Sequence, residues 1–159
     1  MTKFHSAHAN STVLVIDSDA LMLTAVGGVL DMQGYKAVLA RTEQVAAQAL
    51  QNQAIDLIIL SIDQLDGGCE FAKRLRASET TQEVPIIFIV PALVSSWTAA
   101  LQEHGGVFCV ARSVDPYDLI DLVEKALWMP HIAQRRASPP SSHLGKANVG
   151  QPNDWIKLD

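Results

Sequence analysis

Hydrophobic residues along the chain fall into two alternating patterns. Five short runs rich in Val, Ile and Leu are apolar almost throughout, which is typical of parallel strands that are buried on both faces. Each run is followed by a longer segment in which apolar residues recur at helical spacing. The predicted strands are residues 13–16, 36–40, 55–60, 84–90 and 107–110, and the predicted helices are residues 20–33, 42–50, 69–77, 95–105 and 115–128. Five strands that alternate with five helices predict one α/β domain with a doubly wound parallel sheet.

Several predicted helices carry recognisable end signals. Asp19 and Thr42 are predicted N-caps, because their side-chain oxygens can accept hydrogen bonds from the backbone N–H groups of the first turn. Pro116 marks the start of the last helix, since proline at the first helical position loses no hydrogen bond. Gly27 and Gly28 lie in the middle of the first helix, where each costs about 1 kcal/mol relative to alanine. We therefore expect both glycines to allow close packing on the sheet.

The composition divides the chain into one domain and two terminal segments. With 159 residues, of which 48% are hydrophobic, the chain is long enough for one well-packed domain and a tail. We expect a polar N-terminal tail over residues 1–11 and a domain over residues 12–129. Residues 130–159 are rich in Pro, Ser and Gly, which predicts a C-terminal tail or linker with weak intrinsic order. Its apolar end, residues 155–158, is a candidate docking segment.

Charge and cysteine content exclude several classes of function. The formal net charge is -5, whereas a nucleic-acid-binding surface needs clustered Lys and Arg. Cys69 and Cys109 lack the spacing of a zinc site or a disulfide framework, so we expect reduced thiols. The chain has neither the apolar core of a signal peptide nor the ~20 apolar residues of a membrane span. These features predict a cytoplasmic protein that binds neither nucleic acid nor membranes.

The third predicted strand ends at Ser61, just before the loop that leads to Gly67 and Gly68. In parallel α/β sheets, ligands and reactive groups collect beyond the carboxyl ends of the strands. A carboxylate at this point could attack a phosphoryl donor, because it is ionised at neutral pH. A serine hydroxyl needs a neighbouring general base, and the only histidine near a predicted strand end is His104, at the far end of a helix. We therefore expect no phosphoryl transfer to Ser61.

Four stretches of the chain together carry a family resemblance. They are residues 13–19, 56–61, 68–76 and 84–90. With the turn at Asp115-Pro116, they resemble the receiver domain of two-component response regulators over about residues 12–129. The resemblance implies a (βα)5 flavodoxin-like fold, a five-stranded sheet in the order 2-1-3-4-5, and a role in signal transduction rather than an enzymatic one.

The same resemblance shows what this chain lacks. Receivers that are phosphorylated carry an acceptor Asp, a pair of acidic residues for Mg2+, and a Ser or Thr and a Lys that bind the phosphoryl group. By position, Ser61 replaces the acceptor, Ser18 the second acidic residue, Val90 the Ser or Thr, and Arg112 the Lys, whereas Asp17 is kept. Together with Asp19, these residues form a predicted degenerate phosphoacceptor pocket.

Two residues of this pocket have alternative interpretations. Asp19 either contributes with Asp17 to a weak cation site or caps the first helix. Arg112 either binds an anion or neutralises Asp17 in a permanent ion pair. We expect no cofactor and no strong metal site, and a weak Mg2+ site at Asp17 stays open.

The leading functional hypothesis is a phosphorylation-independent protein-binding module of a signalling pathway. Its partner would be a histidine kinase, an output protein or a second copy, bound on the face formed by helix 4, strand 5 and helix 5. The candidate interface residues are Trp97, Phe108, Val110, Tyr117 and Trp128. A rival hypothesis is a phosphorelay receiver that switches through a displaced acceptor, Asp63 or Asp66, which otherwise are solvated loop carboxylates. A third is that the domain is the input piece of a larger protein.

Overall fold

The structure is a computed structural model, and it describes residues 10–137, with side chains as far as residue 128. Within these residues, five strands alternate with five helices. The elements are β1 (Thr12–Ile16), α1 (Ala20–Met32), β2 (Lys36–Ala40), α2 (Glu43–Asn52), β3 (Leu57–Ser61), α3 (Leu65–Ala77), β4 (Ile86–Val90), α4 (Ser95–Glu103), β5 (Gly106–Ala111) and α5 (Pro116–Ala137). The N-terminal residues 1–9 and the candidate docking segment 155–158 lie outside the described part.

The strands form one parallel sheet in the order β2-β1-β3-β4-β5, which confirms the predicted flavodoxin-like fold. All five residues of β4 are buried, as are four of the five in β3, because helices cover both faces of these central strands. The register pairs Ile16 with Leu60 and Ser61 with Ile89. The carboxyl ends of β1, β3 and β4 therefore lie side by side at one edge of the sheet.

The predicted N-caps of α1 and α2 are confirmed. The Asp19 carboxylate accepts a hydrogen bond from the backbone N–H of Leu21 at 2.9 Å, and the Thr42 hydroxyl accepts one from Val45 at 3.2 Å. Each cap satisfies an N–H group that has no partner inside its own helix. Asp19 therefore serves as a helix cap in this structure.

The third helix begins at Leu65, four residues earlier than predicted. The prediction was wrong because Gly67 and Gly68 were interpreted as loop residues on propensity alone. A Cβ atom at Gly68 would lie 2.7 Å from Cγ2 of Ile62, so α3 passes directly over this side chain. Tertiary packing of the helix against Ile62 thus outweighs the low helix propensity of glycine.

The last helix also exceeds its predicted length. It runs to Ala137, beyond the expected end near Trp128 and through Pro130. The domain was expected to stop at residue 129 because the composition changes there to a segment rich in Pro, Ser and Gly. The backbone shows that helical structure continues into the segment predicted as a tail. Among residues 10–137, no helix is both long enough and apolar enough to cross a membrane.

The two central glycines of α1 have different surroundings. Gly27 is buried, and a Cβ atom there would lie 3.1 Å from the Leu39 side chain on β2, which confirms the expected close packing. Gly28 is exposed, and a Cβ atom there would meet nothing within 4 Å. The expectation of close packing on the sheet is therefore wrong for Gly28.

Arg76 on α3 holds together two connections at the amino-terminal edge of the sheet. Its guanidinium group donates hydrogen bonds of 2.7–3.2 Å to the backbone carbonyls of Thr81, Gln82, Val84, His104 and Gly105. Burial lowers the pKa of the Arg76 guanidinium, and the carbonyl oxygens compensate for the water that it has lost. The connections before β4 and β5 are thereby tied to α3.

We expect Arg76→Lys to lower the free energy of unfolding by about 1–3 kcal/mol, because an ammonium group cannot reach carbonyls on both connections. Urea denaturation followed by circular dichroism measures this change. Arg74→Lys is the matched control on the same helix. Arg74 forms an exposed ion pair with Glu43, so its replacement should change stability by less than about 0.5 kcal/mol. Equal effects of the two substitutions would contradict a special role for Arg76.

Candidate functional site

Three residues that are distant in sequence meet at the carboxyl edge of the sheet. Asp17 directly follows β1, Ser61 ends β3, and Arg112 directly follows β5. Backbone hydrogen bonds fix two of them, from Asp17 N–H to the Ala40 carbonyl at 3.0 Å and from Arg112 N–H to the Val90 carbonyl at 2.7 Å. Since parallel strands all end at the same edge, the fold brings these side chains together.

The Asp17 carboxylate is the buried centre of this site, with only 1% of the residue exposed. Its Oδ2 accepts a hydrogen bond of 2.7 Å from the Ser61 hydroxyl, and its Oδ1 accepts one of 2.9 Å from the backbone N–H of Asp19. Nη1 of Arg112 lies 3.4 Å from both oxygens. A buried carboxylate needs such partners to offset the loss of water. Both oxygens of Asp17 are thus occupied by groups of the protein itself.

Arg112 also reaches the loop that follows β3. Its Nη2 donates a hydrogen bond of 3.0 Å to Oδ1 of Asp63, which is largely exposed. The guanidinium group therefore bridges the buried carboxylate of Asp17 and the exposed carboxylate of Asp63. A pairing of Arg112 with Asp17 was one of the two interpretations open from the sequence. The contact with Asp63 was not expected, because no local pattern links residues so far apart in the chain.

Two of the three residues between β1 and α1, Ser18 and Asp19, are exposed at the rim of this site. Ser18 is exposed, and its carbonyl accepts a hydrogen bond of 3.2 Å from Nη2 of Arg41. Asp19 is exposed, and its carboxylate caps α1. Among the residues that the structure describes, no group of three or more His, Cys, Asp or Glu side chains could hold a metal ion.

Val90 and Asp66, the remaining residues of interest at this edge, differ in their exposure. Val90 ends β4 and is fully buried in the core, with an aliphatic side chain that cannot form a hydrogen bond. Asp66 is exposed in the first turn of α3, not in a loop as predicted. At that position its negative charge is favourable for the helix dipole.

The candidate interface residues do not form one exposed surface. Tyr117 and Trp128 on α5 are 57% and 55% exposed, and Trp97 on α4 is partly buried against the core. Phe108 and Val110 on β5 are buried as members of the hydrophobic core. This burial corrects the expectation that the β5 side chains are available to a partner, and leaves the helical residues.

The Ser61 hydroxyl is oriented by the site but is not activated by it. A carboxylate is a far weaker base than an alkoxide, so a hydrogen bond from the Ser61 hydroxyl to Asp17 does not generate an alkoxide at neutral pH. No second donor or acceptor on the described residues makes a hydrogen bond with this hydroxyl in the structure. The geometry thus favours a structural role for Ser61, which is to satisfy Asp17.

The sequence of this chain matches a known protein family. A model described as the response regulator receiver domain matches residues 13–124. Over 80 residues, or 49% of this chain, the sequence is 34% identical to the phosphate regulon transcriptional regulatory protein PhoB of Pseudomonas aeruginosa. That match covers 34% of the relative, so the chain spans only about a third of its length.

Solved structures show the same fold. A response regulator from Thermotoga maritima is 21% identical with a TM-score of 0.67, and the match covers 75% of this chain and 98% of that one. A CheY-like receiver domain protein from Methanospirillum hungatei is 17% identical with a TM-score of 0.69, and covers 79% and 99% of the two chains. At these identities the likeness extends to the fold and not to the chemistry of the site.

We expect Arg112→Met to lower the free energy of unfolding by about 1–3 kcal/mol, because it leaves the buried Asp17 carboxylate without its cation. The value is below that of a fully buried pair, since Arg112 is itself partly exposed. Asp63→Asn is the matched control, because it removes only the exposed partner of the same arginine and should cost less than about 0.5 kcal/mol. Chemical denaturation measures the free energy of unfolding of both variants. An unchanged stability of Arg112→Met would contradict this description of the site.

Proposed function

This chain belongs to the response regulator receiver domain family, and on that premise we propose that it is a receiver that works without phosphorylation, as a protein-binding module in two-component signalling. One observation carries the proposal. Where the family has its acceptor aspartate, the chain has Ser61, whose hydroxyl is hydrogen-bonded to Asp17. The family resemblance supplies the signalling context, and the side chains of the pocket supply the argument against phosphoryl transfer.

Cation binding is disfavoured by the charges of the pocket. Mg2+ binds through oxygen ligands, several of them anionic, and keeps a near-octahedral geometry. Asp17 is the single carboxylate inside the pocket, both of its oxygens accept hydrogen bonds, and the guanidinium of Arg112 lies 3.4 Å from each. A divalent cation would have to displace these donors and approach a positive charge. The guanidinium of Arg112 therefore takes the place of the positive charge that a metal ion would bring.

The phosphoryl-responsive part of the receiver switch is also missing. A residue that follows a phosphoryl group must offer it a hydrogen bond, and Val90 has no donor and is packed in the core. We propose that packing around Val90 and the Asp17–Arg112 pair hold the domain in one conformation. Binding to a partner would then depend on the presence of the protein rather than on its phosphorylation.

The partner is proposed to be a signalling protein, such as a histidine kinase or an output protein, that binds beside α4 and α5. Support comes from the exposed aromatic residues Tyr117 and Trp128, and from Leu93 and Val94 before α4, which are exposed as well. Aromatic side chains supply much of the binding energy of protein interfaces. No enzymatic activity is proposed.

A displaced phosphoacceptor is the second candidate, and one contact favours it. Asp63 is exposed and bound to Arg112, so an accessible carboxylate does lie beside the pocket. A phosphoryl group on Asp63 could pair with that arginine. Asp66 lies on α3 and makes no comparable contact with the pocket residues that the structure describes.

An amide NMR titration with Mg2+ and beryllofluoride, a stable mimic of an acyl phosphate, separates the two candidates. We expect no shifts around Asp17 and Ser61 at millimolar ligand, because the pocket lacks the carboxylates that both ligands require. Incubation with acetyl phosphate should leave the intact mass unchanged. Shifts at Asp17 or Asp63 that spread to α4, or a mass increase, would contradict the leading proposal.

Two sets of variants complete this experiment. In Ser18→Asp/Ser61→Asp, two carboxylates are restored, and we expect Mg2+ binding by this variant, which shows that the titration detects an intact site. If the natural chain does take up a phosphoryl group, Asp63→Asn and Asp66→Asn identify the acceptor by the loss of that mass increase.

A further inference from the structure

The outer face of α1 is unusually apolar for an exposed helix. Of the large hydrophobic residues exposed on the described surface, Leu21 and Met32 are the most exposed, at 81% and 71%. They lie at the two ends of α1, whose thirteen residues include a single charged side chain, Asp31. Helices on the surface of a globular protein usually turn charged residues to the solvent. This face of α1 therefore has the composition of a covered surface.

Four residues form a straight row along this face. Leu21, Ala25, Gly28 and Met32 are all exposed, and they follow one another at steps of four, three and four residues. This is the spacing that aligns side chains along the contact line of two packed helices. The row has large residues at both ends and small residues in the centre, so a second helix could approach the centre closely.

Among the residues that the structure describes, no packing contact explains the glycine at position 28. A Cβ atom at its neighbour Gly27 would crowd the Leu39 side chain at 3.1 Å, whereas the space beside Gly28 is open. Glycine is the least favourable residue in a helix interior after proline. Since none of the described residues packs against it, its remaining advantage is that another backbone can come close. Gly28 thus points independently to a helix packed against the centre of the row.

We infer that α1 is a self-association surface, on which the helix pairs in antiparallel orientation with α1 of a second copy. The steps of four, three and four residues read the same in both directions. A two-fold axis between Ala25 and Gly28 therefore places Leu21 against Met32 of the partner subunit and Ala25 against Gly28 of the partner subunit. Each large side chain then lies beside the end of the other helix, and the small residues meet at the axis.

The charges along α1 also agree with a second copy as the occupant, and the area sets the expected strength of the pairing. The row carries no charged residue, so two copies bring no like charges together at its centre, and Asp31 lies at the margin beside Thr24, one heptad before it. Leu39 extends the apolar surface beside Gly27 and is partly exposed. A single helix of thirteen residues offers less area than the ~1,200 Å² of a stable interface, so we expect weak pairing, with Kd on the order of 100 μM.

Sedimentation equilibrium of the full chain tests this pairing. The natural chain should show reversible dimer formation, and Leu21→Lys/Met32→Lys should weaken it at least about tenfold. Leu21→Glu/Met32→Glu should do the same. A mixture of the Lys and Glu variants should dimerise again, because the antiparallel arrangement sets each Lys against a Glu of the other variant. A natural chain that stays monomeric up to millimolar concentration, or a mixture that stays monomeric, would overturn the inference.

Gly28→Gln separates association from folding. Glutamine favours helix more than glycine does, so the melting temperature of the dilute monomer should rise by about 2–5 °C. The longer side chain should at the same time weaken dimer formation at least about tenfold. Gly67→Gln is the control, since Gly67 is also exposed, helical and free of neighbours within 4 Å. We expect no effect of Gly67→Gln on dimer formation. An unchanged dimer in Gly28→Gln would refute close helix pairing.

Tyr117→Lys distinguishes this surface from the α4 and α5 face. If self-association were lost in Tyr117→Lys and kept in the variants of Leu21 and Met32, the inference about α1 would be wrong and the dimer would use the other face. Neither result depends on Mg2+ or beryllofluoride. Failure of the α1 dimer and failure of the proposed phosphorylation-independent function are therefore separate outcomes.

Discussion

The buried carboxylate of Asp17 is the constraint on which the carboxyl edge of the sheet depends. An anion with 1% exposure is tolerated only where hydrogen bonds and a positive charge replace water. Ser61 and Arg112 supply a hydroxyl and a guanidinium from two other strand ends, and the backbone of Asp19 supplies an N–H. Requirements of a single side chain thereby tie β1, β3 and β5 together. In a pocket organised this way, the groups that would otherwise receive a ligand are already used for stability.

The two multidentate arginines stabilise the opposite edges of the sheet by different means. Arg76 binds backbone carbonyls only, so it joins the connections before β4 and β5 without neutralising any charge. Arg112 binds two carboxylates and links the core to the loop after β3. The contacts of Arg76 lie away from the pocket and do not affect its chemistry, whereas the contacts of Arg112 determine the charge inside the pocket. We therefore expect substitution of Arg112 to alter the pocket itself, whereas substitution of Arg76 should lower only the stability of the domain.

Two neighbouring helices, α1 and α5, expose apolar residues on the surface of the domain. On one side, α5 exposes Tyr117 and Trp128, and on its neighbour α1 the apolar row from Leu21 to Met32 is uncovered. Both helices cover the sheet with their inner faces, and yet both place apolar residues outside, at a cost in solubility that a monomer would not be expected to bear. Under the proposed function, these two helices are surfaces of the described domain on which a partner or a second copy would bind.

The elements of the fold could be predicted from the sequence because they follow from local patterns. The apolar runs of the strands, the caps Asp19 and Thr42, and the substitutions Ser61, Val90 and Arg112 are all legible in the order of residues. The start of α3 and the burial of Phe108 and Val110 were decided by packing against distant residues. Contacts from Asp17 to Ser61 and Arg112 span 44 and 95 residues, and Arg112 reaches Asp63 across 49. The sequence by itself determined which groups were present and absent at the strand ends. Only the tertiary structure decided which of them neutralise one another, because hydrogen bonds and ion pairs depend on distances that the sheet register and helix packing set.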